Sequence, residues 1–205
     1  MIGVVDYGVG NLFSLKSSLL YLGYEASVSS SPDELERADK LILPGVGAFG
    51  DAMDKLRSTG LDELIKSEAS RGKPIMGVCL GMQLLFEKSE EFGNHKGLGL
   101  LEGSVVGMKG VIPSDLKIPH IGWNSLRLTG NRHYLLKYTN EGDYVYFVHS
   151  YFASGCDNST VAVTDYGAVI TAAVARDNVC GCQFHPEKSG RAGLSILKAF
   201  AETEA

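Results

Sequence analysis

Apolar and polar positions in the first half of the chain switch between two periods. Residues 2–6 form a short apolar run closed by Gly8 and Gly10, which reads as a buried strand. Over residues 11–22 the apolar positions Leu12, Leu15, Leu19 and Leu22 recur at helical spacing, and Gly23 ends the run. Residues 41–43 make a second apolar run, stopped by Pro44-Gly45. A helical stretch follows over about residues 48–71, a third strand over 74–78, and a further helix begins in 80–86. Strands alternating with helices predict a parallel sheet covered on both faces.

The second half has a different texture. Residues 105–106, 144–148, 161–163, 169–175 and 179–184 are short and β-prone. Turns rich in Gly and Asn separate them, as in Asn140-Glu141-Gly142-Asp143. These segments predict hairpins or meander strands attached to the parallel core. A final helix is expected over about residues 192–201. No linker, repeat or low-complexity tract divides the chain, so residues 1–205 are expected to form one α/β domain.

Composition narrows the class. Hydrophobic residues make up 44% and charged residues 21%, which is ordinary for a globular protein. The formal net charge of -5 gives no electrostatic reason to expect nucleic acid or an anionic membrane as partner. No apolar run approaches the roughly 20 residues that span a bilayer. The start, MIGVVDYG, lacks a basic segment and reads as a core strand, not a signal peptide. The cysteines Cys79, Cys156, Cys180 and Cys182 match neither a zinc pattern nor a dense disulfide framework. No metal or cofactor is expected, and the cytoplasm is the default compartment.

The most informative segment is Gly77-Val78-Cys79-Leu80-Gly81, between a predicted strand and a predicted helix. This is the pattern of a nucleophile elbow with cysteine in place of serine. The sharp turn crowds the backbone, so small residues are needed two positions either side, where Gly77 and Gly81 stand. The helix N-terminus favours the thiolate, which is the reactive form. The Leu80 N–H can serve as one oxyanion donor. A free cysteine is more often a buried core thiol, but the flanking glycines and the strand-to-helix position select the nucleophile reading here.

A thiolate needs a base. Of His95, His120, His133, His149 and His185, only His185 has a supporting context. It follows a strand, and Pro186 turns the chain away because it cannot donate to a sheet ladder. Parallel strands end on one edge, where sites form, and Cys79 is expected on that edge. Glu187 can orient the imidazole, completing nucleophile, base and orienter. Pro44-Gly45-Val46-Gly47 also follows a strand. It is either an ordinary glycine turn or a source of a second oxyanion donor. Cys180 and Cys182 share one strand face and read as core thiols. Trp123 is either core or a partner contact.

With these residues in view, three motifs resemble the class I (triad) glutamine amidotransferases. They are GVCLGMQ at 77–83, PGVGAFG at 44–50 and QFHPE at 183–187. DYGVGNL at 6–12, PHIGWN at 119–124 and FVHSYF at 147–152 are similar to those of the glutaminase subunits of imidazole glycerol phosphate synthase. The resemblance covers the whole chain and implies a flavodoxin-like fold and no cofactor. It implies that Gln83 and Glu91 hold the two α-carbon substituents of substrate L-glutamine, with Ser150 and Tyr151 bordering the pocket. It implies that Gly45, Val46 and Gly47 form the oxyanion hole with Leu80, productive only when the partner is occupied. The implied partner is a separate (βα)8-barrel cyclase subunit in a heterodimer, faced by Asn11, Trp123, Tyr146 and Lys188. Two other readings carry different expectations: another biosynthetic amidotransferase subunit, or a PfpI-like cysteine hydrolase on a related fold. A third is an interaction subunit without activity, against which the intact Cys79, His185 and Glu187 stand.

Overall fold

The computed structural model describes residues 1–131 and 133–203. In chain order the elements begin β1 (Ile2–Val5), α1 (Leu12–Tyr21), β2 (Ala26–Ser29), α2 (Pro32–Arg37), β3 (Lys40–Leu43), α3 (Phe49–Thr59), α4 (Leu61–Ser70), β4 (Ile75–Val78) and α5 (Leu80–Leu84). They continue with β5 (Phe86–Ser89), β6 (His95–Lys96), β7 (Leu101–Gly107), β8 (His120–Ser125), β9 (Arg127–Leu128), β10 (Tyr144–His149) and β11 (Tyr151–Ser154). The last are β12 (Thr160–Asp165), β13 (Val169–Arg176), β14 (Val179–Cys182) and α6 (Gly190–Ala201). Short 3-10 turns occupy Tyr134–Leu136 and Pro186–Lys188.

The main sheet has the order β2-β1-β3-β4-β14-β13-β12-β9. Its pairings from β2 through β14 are parallel, and those from β14 through β9 are antiparallel. Burial on both faces explains the apolar runs. In β3, Leu41 and Leu43 enter one core cluster and Ile42 enters the other. In β4, Ile75 enters the first, while Met76 and Val78 enter the second. The fold is the single α/β domain that the alternating pattern predicts. Among the described residues no helix is long and apolar enough to cross a membrane.

The second half adds more than a meander on the core. β12 and β13 extend the main sheet, as expected for attached strands. Separately, β11-β7-β5-β6 form a four-stranded sheet, and β10 pairs with β8 as a two-stranded ribbon.

Several boundaries differ from expectation. The helical stretch over 48–71 is two helices, because Gly60 takes the left-handed conformation (φ 71°) and breaks the run. β2 and α2 fall in a stretch assigned no element. The helix starting at Leu80 stops at Leu84, and Phe86 begins β5. β14 ends at Cys182 rather than at residue 184. Cys180 and Cys182 are fully buried core thiols on one face, and burial pushes Cys180 up to about 12. Cys156, in what reads as a polar turn, is buried beside the hydroxyls of Thr160 (3.5 Å) and Thr171 (3.8 Å).

Candidate active site

β4 and β14 lie side by side and parallel, with Val78 opposite Cys182. The Cys79 N–H donates to the Cys182 carbonyl at 2.8 Å, so the two chains stay paired up to the elbow. Cys79 then turns at φ 55°, ψ -114°, a left-handed conformation that costs a non-glycine residue about 1–3 kcal/mol. Close packing fixes the turn. A Cβ on Gly81 would stand 1.8 Å from the Leu43 carbonyl oxygen, and one on Gly77 would stand 2.5 Å from the Met82 Cα. Only glycine fits at either position, as the elbow reading requires. Leu80 is the first residue of α5, so its N–H has no intrahelical acceptor and is free to bind an anion.

His185 follows β14 directly, and Pro186–Lys188 form a 3-10 turn. The His185 Nδ1 donates to Glu187 Oε1 at 2.9 Å, with both side chains almost fully buried. That bond fixes the tautomer and turns Nε2 away from Glu187. Among the described residues Nε2 is buried without a hydrogen-bond partner. Burial lowers the basicity of the imidazole, but the neighbouring Cys79 and the hydrogen-bonded Glu187 outweigh it and hold the pKa at about 9. The ring is therefore protonated and positive at neutral pH, beside the Cys79 sulfur.

A cavity of about 320 Å³ joins these groups. Cys79, Leu80 and His185 line it together with Val46, Gly47, Gln83, Glu91, Ser150 and Tyr151. Of the other predicted pocket and triad residues, Glu187 bonds His185, while Gly45 packs against α5. A Cβ on Gly45 would stand 2.8 Å from both the Gly81 nitrogen and the Tyr7 hydroxyl. Val46 is 45% exposed and Gly47 is left-handed at φ 98°, and both line the cavity with Cys79.

The polar wall is specific. Gln83 donates Nε2 to the Tyr151 carbonyl and to Gln183 Oε1, each at 2.9 Å. Among the described residues its own Oε1 has no hydrogen-bond partner. Glu91 accepts the Phe49 N–H at 2.7 Å at the start of α3, and burial raises its carboxyl above the usual range against that bond and His95. One acceptor is thus presented by each of Gln83 and Glu91.

The four residues expected to face a partner lie outside the cavity. Trp123 is 55% exposed, so it is not core. It pairs across β8 and β10 with Tyr146, ring centroids 6.1 Å apart and edge-on. Lys188 is exposed, and Asn11 is half-buried at the start of α1.

The family model for glutamine amidotransferase class-I matches residues 3–203. The chain belongs to the class-I glutamine amidotransferases. The amidotransferase is 52% identical over 203 residues to a Caldanaerobacter subterraneus protein named imidazole glycerol phosphate synthase subunit HisH, covering 98% of each chain. It is 51% identical over 208 residues to the Bacillus subtilis protein of the same name, covering 100% of this chain and 97% of that one. Among solved structures, a glutamine amidotransferase aligns at TM-score 0.75 with 20% identity over 97% of this chain and 98% of that one. PurLQS from Thermotoga maritima aligns at TM-score 0.75 with 23% identity over 97% and 96%. At those identities the two structures establish the fold alone.

Sequence reasoning passed over three side chains in this amidotransferase. Gln183 is fully buried and donates Nε2 to the Cys79 sulfur at 3.8 Å. Tyr7 is buried and donates its hydroxyl to the Pro44 carbonyl at 2.7 Å, anchoring the glycine segment. His149 lines the cavity itself. Gln183 sits within a motif and Tyr7 beside Gly8, but neither carries a spacing that announces a site.

Proposed function

We propose that this chain is the glutaminase subunit of imidazole glycerol phosphate synthase, hydrolysing L-glutamine to glutamate and ammonia through Cys79, His185 and Glu187. The observation that carries the reading is the His185 ring, set by Glu187 and leaving Nε2 unpartnered beside the cavity that Cys79 lines. The amidotransferase type-1 domain spans residues 1–205 in this reading.

The Cys79 thiolate attacks the glutamine Cδ, and the carbonyl oxygen becomes an oxyanion. The Leu80 N–H and a backbone N–H of the Gly45-Val46-Gly47 segment hold that charge. The imidazolium of His185 gives its Nε2 proton to the amide nitrogen, which leaves as ammonia. The neutral ring then takes a proton from water. The resulting hydroxide attacks the γ-glutamyl thioester, glutamate departs, and the thiolate and imidazolium are restored. Glu187 stabilises the charged ring throughout. The acceptor oxygens of Gln83 and Glu91 suit the α-ammonium of glutamine, and Ser150 and Tyr151 border its α-carbon end.

The ammonia passes to a (βα)8-barrel cyclase subunit in a one-to-one heterodimer. There it serves conversion of PRFAR to imidazole glycerol phosphate and AICAR in histidine biosynthesis. Asn11, Trp123, Tyr146 and Lys188 contact that subunit, and the HisH name of the relatives supports the assignment. Free ammonia in neutral water is mostly ammonium, which is no nucleophile, so a closed passage belongs to this reading. Losing one oxyanion donor costs about 3–4 kcal/mol of barrier, so turning the peptide at Val46 suffices to gate the enzyme. A cytoplasmic setting accords with four free thiols.

The test is ammonia release from glutamine by the purified chain, alone and with the cyclase and its nucleotide ligand. A low rate alone and a large rise in the complex support the reading. A high rate alone removes the gating. No release under either condition overturns the glutaminase assignment.

A further inference from the structure

Two buried histidines outside the triad join the β8–β10 ribbon to the wall of the cavity. His149 Nδ1 lies 2.9 Å from the Tyr151 carbonyl oxygen. His149 Nε2 lies 3.2 Å from His120 Nδ1, and His120 Nε2 lies 3.5 Å from the Asn124 side-chain nitrogen. Hydrogen-bond chemistry allows one assignment of protons. A carbonyl oxygen only accepts, so His149 Nδ1 carries hydrogen. With a neutral ring its Nε2 must then accept, so His120 Nδ1 also carries hydrogen. His120 Nε2 is left to accept from the Asn124 amide, which also donates to the Asp165 carbonyl at 2.8 Å. Burial keeps both rings neutral, His120 at about 4 and His149 at about 3.

The far end of the chain is the Tyr151 carbonyl, which also accepts the Gln83 side chain of α5. That oxygen therefore ties the nucleophile's helix to the pocket-lining backbone through two donors. The near end is held as firmly: the His120 ring is stacked between Phe147 (centroids 4.8 Å, 20°) and Tyr166 (4.0 Å, 19°). Both histidines are nearly fully buried, and nothing in the proposed mechanism uses them.

We propose that His149, held in its Nδ1–H form by His120, is a positioning residue that orients the Ser150–Tyr151 backbone for glutamine binding. The inference rests on the glutamine reading of the cavity. It makes the relay a determinant of substrate affinity rather than of the chemical step, because neither ring touches the reacting atoms in the proposed mechanism. It also places the Asn124 end of the relay one residue from Trp123, so strain on the ribbon reaches the pocket through three hydrogen bonds.

Long-range proton–nitrogen NMR of the full chain reads the protonation directly and needs no turnover. Both His120 and His149 are expected as neutral Nδ1–H tautomers; an Nε2–H tautomer or a charged ring at His149 overturns the inference. Kinetics in the complex with the cyclase read the consequence. His149→Leu is expected to raise the glutamine KM about tenfold or more with kcat changed by less than about threefold. His149→Asn, whose amide reaches as Nδ1 does, is expected to restore most of that loss. His120→Phe keeps the aromatic stack, removes the donor and is expected to raise KM severalfold, which serves if His149→Leu fails to fold. An unchanged KM in these variants, or equal losses in Asn and Leu, overturns the positioning role. Absence of glutamine turnover by the unmodified complex sinks the glutamine reading instead, and the NMR result separates the two failures.

Discussion

The His185 N–H donates to the carbonyl of Tyr146 at 3.0 Å, so the residue proposed as base is bonded to the ribbon strand whose Tyr146 pairs with the exposed Trp123. Ser189 closes the link: its hydroxyl donates to the His185 carbonyl at 2.6 Å and accepts the Tyr146 N–H at 2.9 Å. A movement of β10 therefore moves the backbone of His185. Replacing Ser189 with Ala leaves the Tyr146 N–H without its acceptor, at about 1–3 kcal/mol, while the His185 carbonyl keeps the Lys188 N–H at 3.0 Å. The expected outcome is a lower urea midpoint together with a reduced glutaminase kcat. Loss of stability with kcat unchanged would show that Ser189 holds the fold without setting the base.

Cys79 combines a reactive group with backbone strain, and two substitutions separate the contributions. Both Cys79→Ala and Cys79→Gly should abolish glutamine-dependent synthesis and leave the ammonia-dependent reaction of the complex intact. They should differ in stability. Alanine keeps the side chain at φ 55°, whereas glycine takes that conformation without steric cost. Glycine normally loses about 0.5–1 kcal/mol to alanine through its freer unfolded chain. Here the released strain, roughly 1–2 kcal/mol, should cancel or reverse that deficit. Thermal unfolding of the two variants decides the matter: a Gly variant clearly less stable than the Ala variant would mean that the elbow is not strained.

Opposite pKa shifts bracket the pH range of stability. His185 is raised to about 9 in the folded chain, so the folded state binds the extra proton. Its contribution is complete below the ordinary histidine value near 6.5 and fades as pH rises through about 9. His120 and His149 are lowered to about 4 and about 3. Their neutral burial favours folding above about 6.5, and that advantage is lost progressively as the unfolded chain binds protons on acidification. Urea midpoints measured from pH 4 to 9.5 should therefore peak near neutrality. Cys79→Ala should flatten the alkaline limb and lower the His185 NMR titration midpoint, because Cys79 is one of the groups that raises it.

The strands that position Cys79 and His185 were legible because they are buried on both faces and end in unusual residues. Gly77, Gly81 and Pro186 mark the places where the backbone must turn sharply, and steric rules act locally. β2 was not legible: Ala26-Ser27-Val28-Ser29 is half polar and buries only its end residues. The break at Gly60 was hidden because α3 and α4 both keep helical spacing across it. β8 escaped detection because the inward-facing side chain at its start is His120, whose burial depends on aromatic neighbours distant in sequence. The same reason conceals Gln183 and Tyr7 as supports of the site. Their hydrogen bonds to Cys79 and Pro44 cross 104 and 37 positions of chain, a distance no local pattern encodes.

The elbow's tolerance for added atoms should follow what each new Cβ would meet. At Gly81 it would stand 1.8 Å from the Leu43 carbonyl oxygen and 2.7 Å from the Leu43 carbonyl carbon, both backbone atoms of a central strand. Neither can yield without parting α5 from β3. At Gly181 the nearest atom is the Met82 Cγ at 2.6 Å, part of a flexible side chain that can change rotamer. Gly181→Ala should therefore cost about 1–3 kcal/mol, the usual range for overpacking a core. Gly81→Ala should exceed about 4 kcal/mol, a loss that few single substitutions reach. Thermal or urea unfolding of the two variants gives the comparison directly, and near-equal losses would mean that the β3–α5 contact is looser than the backbone distances require.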